Sequence, residues 1–245
     1  MNAGEDRQDF QKTQDFYREY FGRNERWEDN IERMATVVAL FSQEPSGRCL
    51  EVGCGAGHVT AGLLGSCTEL VACDISMIEG MLQLAKSRDG LHIVRCSATN
   101  LPFREGSFET VVYSEVIEHL PAAVQRRSLD EIASCLRTSG RMILSTPNPE
   151  SCRQKALDLA GKARGRGSRR GEQLVENWIS PRELMRMLSP RFRIKKRLGS
   201  YYDVPVLDRS LARGLLRKMS QAMTKTGIFP GRGYYQYYVA VKREP

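Results

Sequence analysis

The stretch Leu50-Glu51-Val52-Gly53-Cys54-Gly55-Ala56-Gly57-His58 runs from an apolar segment, through glycines at alternate positions, into a helical pattern. Glycine lets a backbone turn sharply and approach a ligand without Cβ contacts. In an open α/β sheet such a strand-turn-helix lies at the carboxyl end of a strand, where ligands bind near the switch in strand order. Asp74 closes the next apolar run, LVACD, 17 residues after Gly57. A carboxylate at that place can accept hydrogen bonds from two ribose hydroxyls. The spacing departs from two common nucleotide fingerprints. Counted from Gly53, His58 replaces the third glycine of GxGxxG; counted from Gly55 the phase is lost; no GxxxxGK[ST] occurs. That argues against a nicotinamide oxidoreductase and a phosphate-cradling NTPase. A purely structural strand-turn-helix is the plain alternative.

On either side of the glycines, apolar runs alternate with helical patterns. Arg48–Val52, Glu69–Cys73, Leu91–Cys96, Thr110–Ser114 and Arg141–Thr146 read as strands, with helices near 58–65, 76–88 and 121–137. Alternation of this length implies parallel crossovers and a doubly wound sheet. Residues 8–22 and 28–42 predict N-terminal helices, the second placing Ile31, Met34, Val38 and Phe41 on one face. Residues 151–172 carry seven Lys/Arg against two acids and four glycines, which predicts a helix fraying into a basic loop. Ser180-Pro181-Arg182-Glu183 predicts a capped helix start. Phe192–Leu198 and Tyr234–Lys242 read as closing strands, with a basic amphipathic helix at 206–223 between them. The expected architecture is α/β, Rossmann-like and doubly wound. Its mostly parallel sheet has seven strands, with N-terminal helices and a helical lid after the fifth strand. One domain spans 1–245: a helical cover (1–45), a core (46–150), a basic lid (151–190) and closing strands with an inserted helix (191–245).

The chain has 245 residues, 41% hydrophobic and 27% charged, enough for a sizeable core. No apolar run reaches the roughly 18 residues of a spanning helix. The start, MNAGEDRQDF, lacks an apolar leader segment. Seven cysteines without a CxxC pair read as core residues of a cytoplasmic protein. Charge is divided unevenly. Residues 1–150 hold 15 basic and 22 acidic side chains, and residues 151–245 hold 22 and 7. The basic half suits an anion, a nucleic acid, an anionic membrane surface or solvent. Tyr201, Tyr202, Tyr234, Tyr235, Tyr237 and Tyr238 are not interleaved with the arginine run, and read in part as sheet or pocket wall.

LEVGCGAG, the acid of VACDIS, LPFREGSFETVVYSEVIEHL and LRTSGRMILSTPN occur in this order. Together they resemble the class I S-adenosylmethionine-dependent methyltransferases, most of all the small-molecule enzymes that include the ubiquinone-biosynthesis O-methyltransferases. The likeness covers about residues 30–150, with a fainter echo at 171–184, where Gln173 replaces a histidine common in those enzymes. It implies S-adenosyl-L-methionine as cofactor. Gly53, Cys54, Gly55 and Gly57 would wrap its amino-acid end, and Asp74 would hold its ribose. Ile75 would flank the adenine, with Ser97 and Ala98 at its edge, and Ser114 would face the methionine portion. Arg33 stands where related quinone enzymes place an arginine on the cofactor carboxylate. Ser97 departs from the aspartate of many relatives, which exchanges a charged acceptor for a hydroxyl.

After the fourth strand comes Ser114-Glu115-Val116-Ile117-Glu118-His119. If a helical turn starts there, Glu115, Glu118 and His119 share one face. Three readings stay open. His119, with Glu118, takes the proton of an acceptor hydroxyl. The three side chains bind Mg²⁺, as a similar stretch does in small-RNA 2′-O-methyltransferases, although the further downstream histidine is missing here. Or the residues are structural. The resulting expectation is methyl transfer to a small molecule, most naturally an oxygen of a phenol or quinone precursor, or of a lipid-like or natural-product acceptor, without a metal. Peripheral contact with an anionic membrane is a further option. An RNA 2′-O-methyltransferase and a non-catalytic membrane- or nucleic-acid-binding protein are the alternatives.

Overall fold

A computed structural model describes residues 31–44, 46–76, 79–163, 177–202, 219–220, 222–224 and 226–244. The predicted helix 8–22, the basic stretch 164–172 and most of the predicted helix 206–223 lie outside them. In chain order the elements are α1 (Ile31–Phe41), β1 (Ser46–Val52), α2 (His58–Leu63), β2 (Cys67–Asp74), α3 (Glu79–Lys86) and β3 (Leu91–Arg95). There follow β4 (Phe108–Ser114), a 3₁₀ turn (Ile117–His119), α4 (Ala122–Cys135), β5 (Leu136–Pro147) and α5 (Cys152–Ala163). α6 (Pro181–Leu188), β6 (Phe192–Ser200), a second 3₁₀ turn (Pro230–Arg232) and β7 (Tyr235–Lys242) complete them.

Seven strands form one sheet in the order β3-β2-β1-β4-β5-β7-β6. β1 to β5 run parallel, and β7 is antiparallel to both β5 and β6. This is the expected Rossmann-like α/β sheet. Strand order reverses between β1 and β4, so the glycine turn after β1 and Ser114 at the end of β4 open on the same crevice.

Alternate residues supply the two faces, as the period of a strand requires. Leu50, Val52, Val71, Cys73, Val111, Tyr113, Met142, Leu144 and Tyr238 pack with Leu129 and Ile132 of α4 and Leu184 and Leu188 of α6. Cys49, Leu70, Ala72, Val112, Ile143 and Tyr237 pack with Val37, Leu40 and Phe41 of α1, Val59 and Leu63 of α2, and Met81 of α3. Both faces are covered, which is why the strands read as continuous apolar runs.

Two polar anchors hold the elements around the crevice. Arg141, 6% exposed on β5, donates to the carbonyls of Phe41 and Glu44 and to the hydroxyls of Ser46 and Thr110. It thereby ties the end of α1 to the sheet. Gln236, buried in β7, donates to the carbonyls of Pro147 (3.2 Å) and Ile179 (2.8 Å) and accepts from the Tyr238 hydroxyl. α6 starts as its sequence predicts: Ser180 accepts from the Glu183 amide at 3.3 Å, and Pro181 occupies the first turn. The cysteines are free. Four are buried as expected, whereas Cys67 and Cys96 are half-buried and Cys152 is exposed. No described helix is long and apolar enough to cross a membrane.

Candidate functional site

The turn after β1 is made by backbone geometry. Gly53, Gly55 and Gly57 have φ of +79°, +50° and +83°, values that side chains resist. A Cβ at Gly53 would lie 2.2 Å from Val116 Cγ2, and one at Gly57 2.2 Å from Met81 Sδ. Close packing and dihedral angle thus exclude side chains at the same positions. The amides of Gly53 and Cys54 both donate to the Cys73 carbonyl. The Gly55 amide donates to Asp74 Oδ2 at 2.8 Å, and the amide and hydroxyl of Ser76 donate to Oδ1 at 2.8 and 3.1 Å. Asp74 therefore faces the glycine turn. Burial raises its pKa, and these hydrogen bonds oppose the rise.

A cleft opens between the ends of β1, β2, β3 and β4. Of the residues expected at the site, Gly53, Asp74, Ile75, Ser97, Ala98 and His119 line it. Val52, Cys73, Cys96, Glu115, Val116 and Leu120 complete the lining. Cys54, Gly55 and Gly57 shape the turn behind it. The Ser97 hydroxyl exchanges a hydrogen bond with Thr99 Oγ1 at 2.9 Å.

Beneath the cleft Glu51 is 3% exposed and accepts from the Thr60 hydroxyl. Burial, only partly opposed by that hydrogen bond, pushes its pKa to about 7. An acid inside an otherwise apolar strand is the signal by which Glu51 can be found from sequence.

No α-helical turn starts at Ser114, so the condition under which Glu115, Glu118 and His119 would share one helical face is not met. Glu115 is left-handed (φ 56°), and the following residues make the 3₁₀ turn Ile117–His119. The Glu115 amide donates to the Ser145 carbonyl, so pairing with β5 continues one residue past β4 before the chain turns. The side chains consequently diverge in role. Glu115 borders the cleft and accepts from the Ser145 hydroxyl at 2.7 Å. Glu118, 2% exposed, points inward and accepts from the Thr146 hydroxyl at 2.9 Å. His119 Nε2 lies 3.8 Å from Glu118 Oε1. Desolvation and the charge of Glu118 raise the pKa of Glu115 to about 7, against the pull of Arg33. No group of three or more His, Cys, Asp or Glu positioned to hold a metal ion occurs among the described residues.

Arg33 of α1 reaches the far side. Its Nη1 donates to the Ser114 hydroxyl at 3.4 Å, its guanidinium lies 5.7 Å from the centre of the Tyr235 ring, and its buried Nε has no hydrogen-bond partner. Burial lowers its pKa, but the combined pull of Glu115, Tyr235, Tyr237 and Glu118 leaves it raised. Ser114 also exchanges a hydrogen bond with the Ser145 hydroxyl at 2.9 Å. The loop 117–120 is clamped from behind. Gln125 donates to the carbonyls of Ile117 and Asn177, and Asn177 donates to those of Glu118 and Leu120.

Known proteins share this plan. A family model described as a methyltransferase domain matches residues 50–144. The demethylmenaquinone methyltransferase of Clavibacter sepedonicus is 33% identical over 142 residues, which is 55% of this chain and 56% of that protein. A probable tRNA methyltransferase 9B of Bos taurus is 28% identical over 106 residues, 43% of this chain and 22% of that protein. The chain thus spans about half the length, or less, of these curated relatives. Among solved structures, the Burkholderia thailandensis 1,6-didemethyltoxoflavin-N1-methyltransferase superposes with a TM-score of 0.65. It is 17% identical, and the match covers 100% of this chain and 92% of that one. Over residues 50–144 the chain is thus similar to a methyltransferase domain, and the likeness to the solved structures is one of fold.

Proposed function

We propose that the protein transfers a methyl group from S-adenosylmethionine to a small-molecule acceptor, most naturally an oxygen of a phenol or quinone precursor. The observation that carries this reading is the cleft at the switch in strand order, where Asp74 faces a turn made of left-handed glycines. The residues suit the cofactor. Asp74 Oδ1 and Oδ2 each retain acceptor capacity for a ribose hydroxyl. Ile75, Ser97 and Ala98 line the end of the cleft that an adenine would enter. The turn at Gly53, Cys54, Gly55 and Gly57 admits an amino-acid moiety close to the backbone. The unpartnered Nε of Arg33 and the Ser114 hydroxyl supply donors for its carboxylate.

When bound, the cofactor would supply a methyl carbon on a positively charged sulfur, which would leave with its bonding electrons as the acceptor oxygen took the carbon. The chain aligns the acceptor and manages its proton. His119 lines the cleft and takes the hydroxyl proton; Glu118, fixed by Thr146, stabilises the imidazolium that results.

Calorimetry with S-adenosylhomocysteine and turnover with labelled donor test the reading. The wild-type chain should bind saturably. Asp74→Ala should weaken binding by ~1.5–3 kcal/mol, the value of hydrogen bonds to a charged group. His119→Ala should spare binding and lower kcat by roughly 10²-fold or more. No heat of binding would refute the donor site, and an unchanged rate would remove His119 from its role. Two observations favour an RNA acceptor as the second reading: the 22 basic against 7 acidic residues of 151–245, and the likeness to a probable tRNA methyltransferase. Product formation on RNA that falls steeply with salt would select it. The same basic half suits peripheral contact with an anionic membrane, which a vesicle-flotation assay reads directly.

A further inference from the structure

Beyond the cleft, the same edge of the sheet carries a ladder of rings. Trp178 meets Tyr234 edge-on with centroids 5.8 Å apart, Tyr234 meets Tyr235 at 5.0 Å, and Tyr235 meets Tyr201 at 5.6 Å. Backbone bonds lock the ladder to the candidate site. The Asn148 amide donates to the Tyr234 carbonyl, the Tyr234 amide to the Tyr201 carbonyl, and the Asn177 amide to the Glu118 carbonyl. Arginines cover two of the ring faces. Arg153, in the first turn of α5, lies 5.6 Å from the centre of Tyr234, and Arg33 lies 5.7 Å from that of Tyr235.

A core role does not account for this arrangement. Tyr237 and Tyr238, only two and three residues further along β7, are each 1% exposed. Trp178, Tyr201, Tyr234 and Tyr235 all remain half-buried at the edge where the donor cleft opens. Half-buried rings bordered by guanidinium groups attract a flat ring, and the cations favour negative charge on it.

We propose that this ladder is the acceptor subsite, and that it selects a planar aromatic acceptor bearing an anionic group, with Arg153 as the residue that recognises the charge. The proposal rests on the donor site assigned above and deepens it. The ring would stack beside Trp178 and Tyr234 with its anion toward Arg153, leaving a hydroxyl to reach toward His119.

The sequence contains two tryptophans, Trp27 and Trp178. In the full-length Trp27→Phe protein Trp178 is therefore the sole tryptophan emitter. With that protein loaded with S-adenosylhomocysteine, 3,4-dihydroxybenzoate and its uncharged carboxamide serve as probes. The benzoate should quench Trp178 saturably and bind about tenfold more tightly than the carboxamide, as expected for a charge-assisted contact. Adding Arg153→Gln should abolish that preference while leaving S-adenosylhomocysteine affinity unchanged, and Arg153→Lys should restore part of it. Equal binding of the two probes, a preference that survives Arg153→Gln, or no quenching by either probe would overturn the proposal. Failure to bind S-adenosylhomocysteine would overturn the donor site as well. Normal binding of it without quenching would overturn the acceptor subsite alone.

Discussion

The two sides of the crevice are built by different means. On one side, the glycine turn and Asp74 come from 22 consecutive residues, Gly53 to Asp74, which carry one turn, one helix and the next strand. The chemistry there is mostly backbone: amides, left-handed angles and one carboxylate. On the other side, Arg153, Trp178, Tyr201 and Tyr235 come from parts of the chain far apart in sequence. Their meeting depends on β7 lying between β5 and β6. A local turn tolerates no side chain but needs few partners; a remote assembly tolerates substitution but needs every anchor that brings its strands together.

Gly53→Ala applies the harshest test to this contrast. The new Cβ would meet Val116 Cγ2 at a left-handed residue, so strain and overpacking together should cost about 3 kcal/mol. Binding of S-adenosylhomocysteine should be lost, as titration calorimetry would register, and the donor-side account fails if affinity is retained. Gln236→Leu strikes the other side. It leaves the carbonyls of Pro147 and Ile179 and the Tyr238 hydroxyl without their buried partner, a loss of about 2 kcal/mol in denaturant melts. Affinity for S-adenosylhomocysteine should stay within a factor of about two, since the turn is built elsewhere. A parallel fall in that affinity would show the two sides to be one unit.

The smallest effect concerns pH. Glu51 titrates near 7 in the folded chain, above the ordinary carboxylate value. The folded state therefore holds a proton that the unfolded state has released, and stability from this residue declines as pH rises from the unfolded value through about 7. Glu51→Gln keeps an acceptor for Thr60 and should flatten that decline, with a gain on the order of 1 kcal/mol at pH 8. Thermal melts between pH 5 and pH 8 would read it; identical slopes in the two proteins would place the dependence on another group.

The same contrast governs what could be read in advance. Strands buried on both faces announce themselves as apolar runs, and the glycine turn and Asp74 are adjacent to them. Strand ends were less legible. β5 begins at Leu136, not Arg141, because pairing with β4 resumes across an irregularity between Phe108 and Thr110, with Ser139 left-handed (φ 61°). The left-handed angle of Glu115 left no trace either, since glutamate does not advertise it as glycine does. Six tyrosines stand out as a group in the closing segment, two of them buried in the sheet and four half-buried at its edge. Which ones stay open, and that Trp178, Arg33 and Arg153 join them, is a property of sheet order that no local pattern encodes.

The position of β7 also constrains how the molecule is made. β6 pairs only with β7 among the described strands, and β7 is the later of the two in sequence. During synthesis β1 to β5 can assemble as they emerge, while β6 waits with its hydrogen-bonding edges open until Tyr235–Lys242 has left the ribosome and slid between it and β5. The aromatic ladder, seated on that insertion, is therefore completed only after Tyr235–Lys242 has emerged. A nascent chain stalled before residue 235 would already own the glycine bend yet lack the wall opposite it.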